Sequence, residues 1–528
     1  MVVPAAKKTQ VRDLFHLEPD AFLAALPLLV SLLAVAFLSV RISRGIYLGD
    51  EGVACVESWR VAQGQVPVAD FFDIIPPGSF YMLGGIFRLI GPTILASRLL
   101  GLVYGLLLVA LVYALTARFA RRPVARALAL SFLIPFGVGA WPFPSHHWAV
   151  DLCQLAALWL LLKGTDSPSA WWPALGGLAA GAGAWCMQDQ GGYAVLALSL
   201  FAVPVVGRGR RLRFGAAWFG GLAAAAVFPL ALLLRSVSIG TLWRDWVVFP
   251  ATRYQDLQAG GGALAGGWRA VLSDITVARL TVAPVYVALT VACYGLLFLL
   301  PWAALGAMAA AFWRRWLAAP RAALLSAMTL AFLGGAAHRW TIMNLVWAAP
   351  VCALWMGVAA DRLWDAPRAG LRRAARVTAI SALCLLCAFG VIGLFQQGLT
   401  QTIPVRGLAG TLSTYDAREA ASLQAFLDAI GEEVPERAPA FTMGYIPMVG
   451  FMTAHPNPTP YAIFITQPPY NTPEQEERWV RAVEDHQVEW GFSRSVVPLA
   501  PGPASDYLLS HYSPAWRSPA FTLWRRRP

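Results

Sequence analysis

Two adjacent carboxylates, Asp50 and Glu51, follow the first long apolar run of the chain, residues 21–40. Charged side chains at the mouth of a membrane-spanning segment are costly to place there, and they usually serve binding or catalysis. The pair therefore predicts chemistry at a membrane surface.

The composition predicts a polytopic α-helical membrane protein. Of the 528 residues, 58% are hydrophobic and 13% are charged, and the mean hydropathy is +0.56. A soluble domain has about 45–50% apolar and about 25% charged residues. The net charge of +12 is spread over short arginine clusters between apolar runs. Such clusters orient membrane proteins, whereas a nucleic-acid-binding face would be a patch on a soluble domain.

Apolar runs of about 17–25 residues are candidates for membrane spans. The sequence predicts about eleven of them, near residues 21–40, 94–116, 127–143, 147–162, 171–187, 191–206, 214–234, 281–312, 322–337, 343–360 and 377–397. The run at 281–312 is longer than one span needs, and a kink at Pro301 would split it and change the parity.

The arginine clusters predict how these spans are oriented in a plasma membrane, as in the bacterial inner membrane. With a cytoplasmic N-terminus and eleven spans, every cluster falls on the cytoplasmic side, as the positive-inside rule requires. The candidate chemical residues then all face outward, together with a long polar and aromatic segment at 235–280. The first apolar run is too long for a signal-peptide core, so we expect it to be retained as a span.

The composition changes after residue 400. Residues 401–528 contain no run long enough to cross a membrane, and they predict a small α/β or α+β domain next to a membrane domain of residues 1–400. Helices are predicted at 417–430 and 472–486, and strands at 440–443, 462–466 and 488–492. The odd number of spans places this domain outside the cytoplasm.

The seven cysteines show neither a disulfide framework nor the spacing of a zinc site. Cys384 and Cys387 form a CxxC pair, but they lie inside an apolar run and are better explained as one turn of a span. The sequence predicts no specific cofactor, and it leaves a divalent metal ion open.

The first outer loop, residues 41–79, and the start of the second span carry an ordered set of motifs. The acidic pair is followed by Gly64, Pro67 and Asp70, then by Pro76, Pro77 and Tyr81, and finally by Phe87, Gly91 and Arg98. This order resembles the glycosyltransferase C superfamily of integral membrane enzymes, particularly the branch of the protein O-mannosyltransferases and the lipid-A aminoarabinose transferases. Val68 departs from the pattern, which usually has an aromatic residue at this position.

The resemblance implies a sugar donor linked to polyprenyl phosphate and an acceptor hydroxyl or amine on a lipid, a glycan or a protein. Transfer would occur at the outer face with inversion. The acceptor then needs a carboxylate base, and the leaving phosphate needs cationic or hydrogen-bonding groups. Asp50 is the predicted base, and Glu51 is predicted to orient or bind the acceptor. The alternative for Glu51 is a favourable charge at the N-terminus of the helix that follows.

Three further residues of this region are predicted substrate ligands. Asp73 either holds the acceptor or a metal ion, or it caps the start of a helix. Arg98 either reaches the donor phosphate or extends its charged group to the membrane interface. Tyr81 belongs to the motif set and is grouped with them.

The later outer segments contribute four more candidates. His146 stands at a turn where the related families often have a carboxylate, and its neighbour His147 would not share its helix face, which disfavours a metal site. Asp189 replaces a lysine that is frequent in those families, so it either binds sugar hydroxyls, pairs with an arginine or forms a polar hinge. Arg339, beside His338, is the predicted phosphate ligand because a guanidinium matches phosphate geometry. The alternative is an ordinary interfacial arginine.

A membrane transporter or flippase of lipid-linked saccharides is the alternative function. A transporter is expected to have broken helices and midplane charges in two repeated halves, whereas the polar candidates here gather at one interface. A non-catalytic scaffold with the same fold is a third interpretation. The sequence identifies neither the sugar nor the acceptor.

Overall fold

The computed structural model describes residues 19–136, 141–204, 206–254, 284–314, 319–337, 342–466, 471–495 and 499–528. The membrane part is helical, and a small mixed region of strands and helices follows it. The described helices up to residue 400 are α1 (Pro19–Val40), α2 (Asp50–Ala62), α3 (Gly78–Ile90), α4 (Ile94–Phe119), α5 (Pro123–Ser131), α6 (Leu133–Phe136), α7 (His146–Asp166), α8 (Trp171–Ala184), α9 (Gln188–Ala202), α10 (Arg211–Leu233), α11 (Ile239–Trp243), α12 (Pro284–Arg314), α13 (Ala319–Ala337), α14 (Ile342–Leu363) and α15 (Ala369–Thr400). Two short π-helical segments, Arg244–Val248 and Pro250–Tyr254, follow α11.

Each apolar run predicted to span the membrane overlaps a described helix, and the run at 127–143 overlaps the two short helices α5 and α6. Among the described residues, six helices are long and apolar enough to cross a membrane, and three shorter apolar helices accompany them. The number of eleven spans therefore stays a prediction. Helix α12 continues through Pro301, so the suggested split at that proline does not occur in the structure.

The predicted cytoplasmic loops meet at one end of the helical bundle. Asp166, at the end of α7, binds Arg118 from the end of α4 and Arg321 from the start of α13, the latter at 2.9 Å. The carboxylate of Asp361, in α14, accepts hydrogen bonds from the backbone N–H groups of Arg121 and Arg122 at 3.0 and 2.8 Å. Residues of four predicted cytoplasmic loops thus contact one another, as a common side requires.

The other end of the bundle carries α2, α3 and the region after residue 400. That region contains β1 (Ile403–Gly407), β2 (Gly410–Thr414), α16 (Ala417–Glu433), β3 (Ala440–Met443), α17 (Pro447–Met452), α18 (Pro473–Asp485), β4 (Trp490–Arg494), α19 (Pro503–His511), β5 (Tyr512–Arg517) and β6 (Phe521–Arg526). Strands β1 and β2 form an antiparallel hairpin, and the four other strands form a sheet in the order β3-β4-β6-β5. Strands β3 and β4 are parallel, and the remaining neighbours are antiparallel.

Local sequence signals explain where several helices begin. The hydroxyl of Thr93 accepts a hydrogen bond from the backbone of Ala96 and starts α4, and Asp416 accepts from two backbone N–H groups at the start of α16. Thr472 and Gln475 form a reciprocal capping box at α18. Such caps satisfy the backbone N–H groups that have no partner within the helix.

The predicted helices at 417–430 and 472–486 and the strand at 440–443 are confirmed, and the strand predicted at 488–492 is observed at Trp490–Arg494. The strand predicted at 462–466 is wrong, because this run makes only an isolated bridge between Phe464 and Gly444. Pro458 and Pro460 precede the run, and prolines lack the N–H group that a strand ladder needs.

The region after residue 400 shares one hydrophobic core with the first outer loop. Cys55 of α2 and Phe87 of α3 belong to the same buried cluster as Phe426 of α16 and Phe451 of α17. The rings of Phe87 and Phe451 stack with their centroids 5.7 Å apart. Helix α15 ends at Thr400, but the packing joins the two predicted domains at α2 and α3.

Candidate active site

Helix α2 presents the acidic pair at its N-terminus, and it separates the two carboxylates. Asp50 is exposed to solvent, whereas Glu51 is fully buried. Consecutive residues on a helix point about 100° apart, so one side chain can face solvent while the next faces the core. Both lie in the first turn, where the helix dipole favours a negative charge.

Glu51 forms a buried ion pair with Arg98 of α4. The Nε and Nη2 atoms of Arg98 both donate to the carboxylate of Glu51, the second at 2.6 Å. The remaining N–H groups donate to the carbonyl oxygens of Arg41, Arg44 and Gly45 at 2.9–3.0 Å. Because a guanidinium has five N–H donors, all of them are used inside the protein.

This pairing bears on the roles predicted for both residues. Arg98 is fully buried and has no donor left for a phosphate, so the structure does not support its prediction as a substrate ligand. Burial raises the pKa of Glu51 above its usual value, and the charge and hydrogen bonds of Arg98 oppose that rise. Glu51 is therefore held in a buried ion pair at the start of α2, and its predicted role towards the acceptor stays a prediction.

Asp50 contacts the region after residue 400. The hydroxyl of Tyr445, which follows β3 after one glycine, donates a hydrogen bond to the carboxylate of Asp50. Residues that are 395 positions apart in sequence thus meet at the predicted base. Nothing in the sequence pattern around Tyr445 indicates this contact.

Glu57 of α2 and Asp73 of the loop that leads to α3 form a second pair of acidic side chains. The two residues are 4% and 7% exposed, and the backbone N–H of Ile75 donates to Asp73 at 2.9 Å. Burial raises the pKa of Asp73 to about 6. Burial and the neighbouring charge of Asp73 raise the pKa of Glu57 well above its usual range. Asp73 thus interacts with another carboxyl group, and Glu57 is a residue that sequence reasoning missed.

A cavity of about 530 Å³ lies beside this loop. Segments from six parts of the chain form its wall: the loop before α3, the starts of α7, α9 and α14, the end of α13, and the π-helical segments. The lining residues are Ile74, Ile75, His146, His147, Met187, Gln188, Asp189, Gln190, Tyr193, Trp246, Val247, Pro250, Ala251, Phe332, Gly334, Gly335, Ala336, Asn344 and Trp347. The cavity therefore brings together two predicted ligands, His146 and Asp189.

Side-chain amides of α9 hold the wall of the cavity in place. The Nε2 atom of Gln188 donates to the carbonyl oxygens of Ile74 and Trp246 at 2.7 and 3.2 Å, which joins two wall segments. Gln190 donates at 2.6 Å to Asp151, a fully buried carboxyl of α7. These amides hold wall segments of the cavity together, whereas the sequence predicts a role only for Asp189, which lies between them.

Aromatic rings connect the acidic pair with the cavity. The ring of Tyr47 lies 5.6 Å from the guanidinium carbon of Arg98 and 5.7 Å from the ring of Trp141. Trp141 in turn lies 5.9 Å from Trp347, which stacks on His147 in the cavity wall at 4.2 Å. Asp50 does not line the cavity. The ring contacts show that the predicted base and the predicted ligands nevertheless occupy neighbouring parts of the same end of the molecule.

The remaining predicted ligands are placed as follows. Tyr81 lies on α3 with 47% of its surface exposed, and it does not line the cavity. His338 and Arg339 lie outside the described residues. In the sequence they fall between Ala336 and Asn344, which both line the cavity. Within the described ranges, no group of three or more His, Cys, Asp or Glu side chains is arranged to hold a metal ion.

Known proteins resemble this chain in sequence over one segment and in fold over most of its length. Residues 75–233 match the family of dolichyl-phosphate-mannose-protein mannosyltransferases. The fold is similar to that of ArnT from Cupriavidus metallidurans in the apo state, with a TM-score of 0.59 and 13% identity over 94% of this chain and 97% of that one. The structure of the same protein bound to undecaprenyl phosphate gives a TM-score of 0.56, with the same identity and coverage. No curated protein matches by sequence.

An archaeal enzyme shares the fold as well. The apo structure of the Archaeoglobus fulgidus oligosaccharyltransferase has a TM-score of 0.51 and 15% identity over 90% of this chain and 70% of that one. These similarities confirm the predicted resemblance and the fold class, a polytopic helical membrane domain followed by a small mixed region.

Proposed function

We propose a reaction for this chain from the premise that it is an integral membrane glycosyltransferase of the glycosyltransferase C superfamily, which its family match and its fold support. It transfers a sugar from a polyprenyl-phosphate donor to a hydroxyl or amine of an acceptor at the outer face of the membrane. The sugar carbon is inverted, and Asp50 is the general base.

The observation that carries this proposal is the difference between the two adjacent carboxylates. Glu51 is buried and neutralised by Arg98, whereas Asp50 is exposed at the first position of α2. A base must reach the proton that it removes. Of the two, only Asp50 is exposed to an acceptor that approaches from solvent, and the ion pair behind it keeps the start of the helix fixed.

The proposed reaction is a single displacement. The acceptor oxygen or nitrogen forms a bond to the anomeric carbon as the bond from that carbon to the phosphate oxygen breaks. Asp50 accepts the acceptor's proton, and polyprenyl phosphate leaves with the bonding electrons. Attack from the side opposite to the leaving group inverts the anomeric carbon.

The cavity is the proposed site of the donor head group. ArnT from Cupriavidus metallidurans has been solved with undecaprenyl phosphate, which supports a donor of this class. His146 and Asp189 offer a hydrogen-bonding surface for phosphate oxygens and sugar hydroxyls. No lysine or arginine is among the described residues that line the cavity. The proposal therefore assigns the phosphate charge to Arg339 and His338, as the sequence predicts.

A deletion strain provides the test, whichever sugar the donor carries. A strain without the protein is expected to accumulate the lipid-linked donor, which mass spectrometry identifies in its membranes. Purified protein is then added to those membranes, and the disappearance of the donor is followed. Asp50→Asn should slow it by about 10²–10⁴-fold, the usual contribution of a general base. The matched control is Asp428→Asn, which removes an exposed carboxylate of α16.

Full activity of Asp50→Asn would contradict the assignment of the base. The alternative function of a flippase would be favoured by two results together. The lipid-linked sugar would accumulate only on the cytoplasmic face in the deletion strain, and the purified protein would not consume it.

A further inference from the structure

The segment Gly444–Met452 lies directly against the acidic pair. Besides the hydrogen bond from Tyr445 to Asp50, the backbone N–H of Met448 donates to the carbonyl oxygen of Leu48 at 3.1 Å. Met448 is fully buried in this contact. The region after residue 400 thus forms part of the immediate surroundings of the proposed base.

Two glycines on either side of the acidic pair make this contact possible. A Cβ atom at Gly49 would lie 1.8 Å from the ring of Tyr445, and a Cβ atom at Gly52 would lie 2.3 Å from the backbone nitrogen of Met448. Neither distance is compatible with a side chain. The two glycines that flank the acidic pair are therefore needed for the close approach of the segment Gly444–Met452.

The segment is also anchored within the region after residue 400. Gly444 donates through its N–H to the carbonyl oxygen of Phe464 at 2.7 Å, and it has a positive φ of 83°, which suits glycine. Ile446 and Val449 are fully buried, whereas Tyr445 keeps 41% of its surface exposed. A rigid support thus holds one tyrosine hydroxyl at the exposed carboxylate.

We propose that Tyr445 is a positioning residue for the transfer reaction, because its hydroxyl holds the Asp50 carboxylate and thereby fixes the rotamer of the base. This inference rests on the proposed function of Asp50. A hydrogen bond to a carboxylate also favours its charged form, which is the form that can accept a proton. The region after residue 400 would then contribute to catalysis instead of only covering the membrane domain.

The test is Tyr445→Phe, which keeps the ring on Gly49 and removes one O–H group. Membranes of the deletion strain supply donor and acceptor, and the rate is measured across a range of pH. We expect the rate to fall about tenfold or more, as for loss of a hydrogen bond to a charged group. The acidic limb of the pH profile should move to higher pH, because the charged carboxylate has lost a donor. Glu51 and Arg98 stay paired in both proteins.

Tyr415→Phe is the control, since Tyr415 is a partly exposed tyrosine of the same region outside this contact. It should leave the rate and the pH profile unchanged. An unchanged acidic limb in Tyr445→Phe would overturn the inference, and so would a faster rate, which would identify Tyr445 as a plug over the base. The proposed function fails separately, through full activity of Asp50→Asn.

Discussion

At the scale of single residues, Asp50 and Glu51 show how position on a helix places two adjacent carboxylates in different surroundings. The sequence indicates that the pair matters, because two carboxylates beside an apolar run are costly. It does not indicate which carboxylate is buried, since that depends on where Arg98 of α4 meets α2. The structure therefore assigns the ion pair to Glu51 and the exposed carboxylate to Asp50.

Glu57 and Asp73 form a buried acidic pair whose cost depends on pH. Burial raises the pKa of both, to about 6 for Asp73. The folded protein therefore binds more protons than the unfolded chain between about pH 4 and the raised values, and stability falls as pH rises through that window. The pair is expected to be tolerated at acidic pH and to destabilise the loop before α3 at alkaline pH.

Glu57→Gln is predicted to stabilise the protein at pH 8 by about 1–3 kcal/mol. The amide removes one ionisable group and can donate to Asp73. The gain should shrink towards pH 4, where the carboxyl groups are protonated. Thermal unfolding in detergent at several pH values measures it, with the exposed Glu432→Gln as the control. An equal change in stability at every pH would contradict the raised pKa values of Glu57 and Asp73.

At the scale of helices and strands, the hydrophobic pattern of the sequence predicted most of the helices, because helix formation depends largely on local sequence. The apolar runs correspond to helices, and the caps at Thr93 and Thr472 start theirs at the expected places. The failures have physical causes. Strand β5 was not predicted. It lies at the edge of the sheet and contains Pro514 and a bulge, and such a strand does not need a regular alternation of apolar and polar residues. The contact of Tyr445 with Asp50 is tertiary, and no local pattern encodes it.

Helices α8 and α10 pack closely because glycines face each other's backbone. A Cβ atom at Gly221 would lie 2.0 Å from the carbonyl oxygen of Ala174, and one at Gly177 would lie 2.1 Å from that of Trp218. Small residues allow membrane helices to approach in this way. Helix α8 packs against α9, and Trp218 of α10 donates a hydrogen bond to the hydroxyl of Ser199 in α9 at 3.0 Å. The first turn of α9 forms part of the cavity wall.

Gly221→Ala is predicted to destabilise the protein by about 1–3 kcal/mol, because the added methyl group forces the two helices apart. Gly220→Ala is a matched control one residue away, since a Cβ atom there has no neighbouring atom within 4 Å. Unfolding temperature in detergent compares the two variants. Equal stability of both would show that the close approach of the backbones does not constrain this helix pair.

At the scale of the whole molecule, the polar candidates and the arginine clusters lie at opposite ends of the helical bundle. Arg118 and Arg321 meet at Asp166, while Asp50 and the cavity lie at the end that carries the region after residue 400. The positive-inside rule predicts that the arginine end lies in the cytoplasm. The proposed sugar transfer at the opposite end would then take place on the outer face, where the donor's polyprenyl tail could be reached from within the bilayer.

Labelling of engineered thiols in intact cells determines on which side of the membrane Asp50 lies. Asp50→Cys and Arg373→Cys each add one exposed thiol, one at each end, and the wild-type protein with its own seven cysteines gives the background. A membrane-impermeant reagent is predicted to label residue 50 in intact cells and residue 373 only after the membrane is opened. Labelling of residue 373 in intact cells, with residue 50 protected until the membrane is opened, would place the proposed base in the cytoplasm and contradict the account.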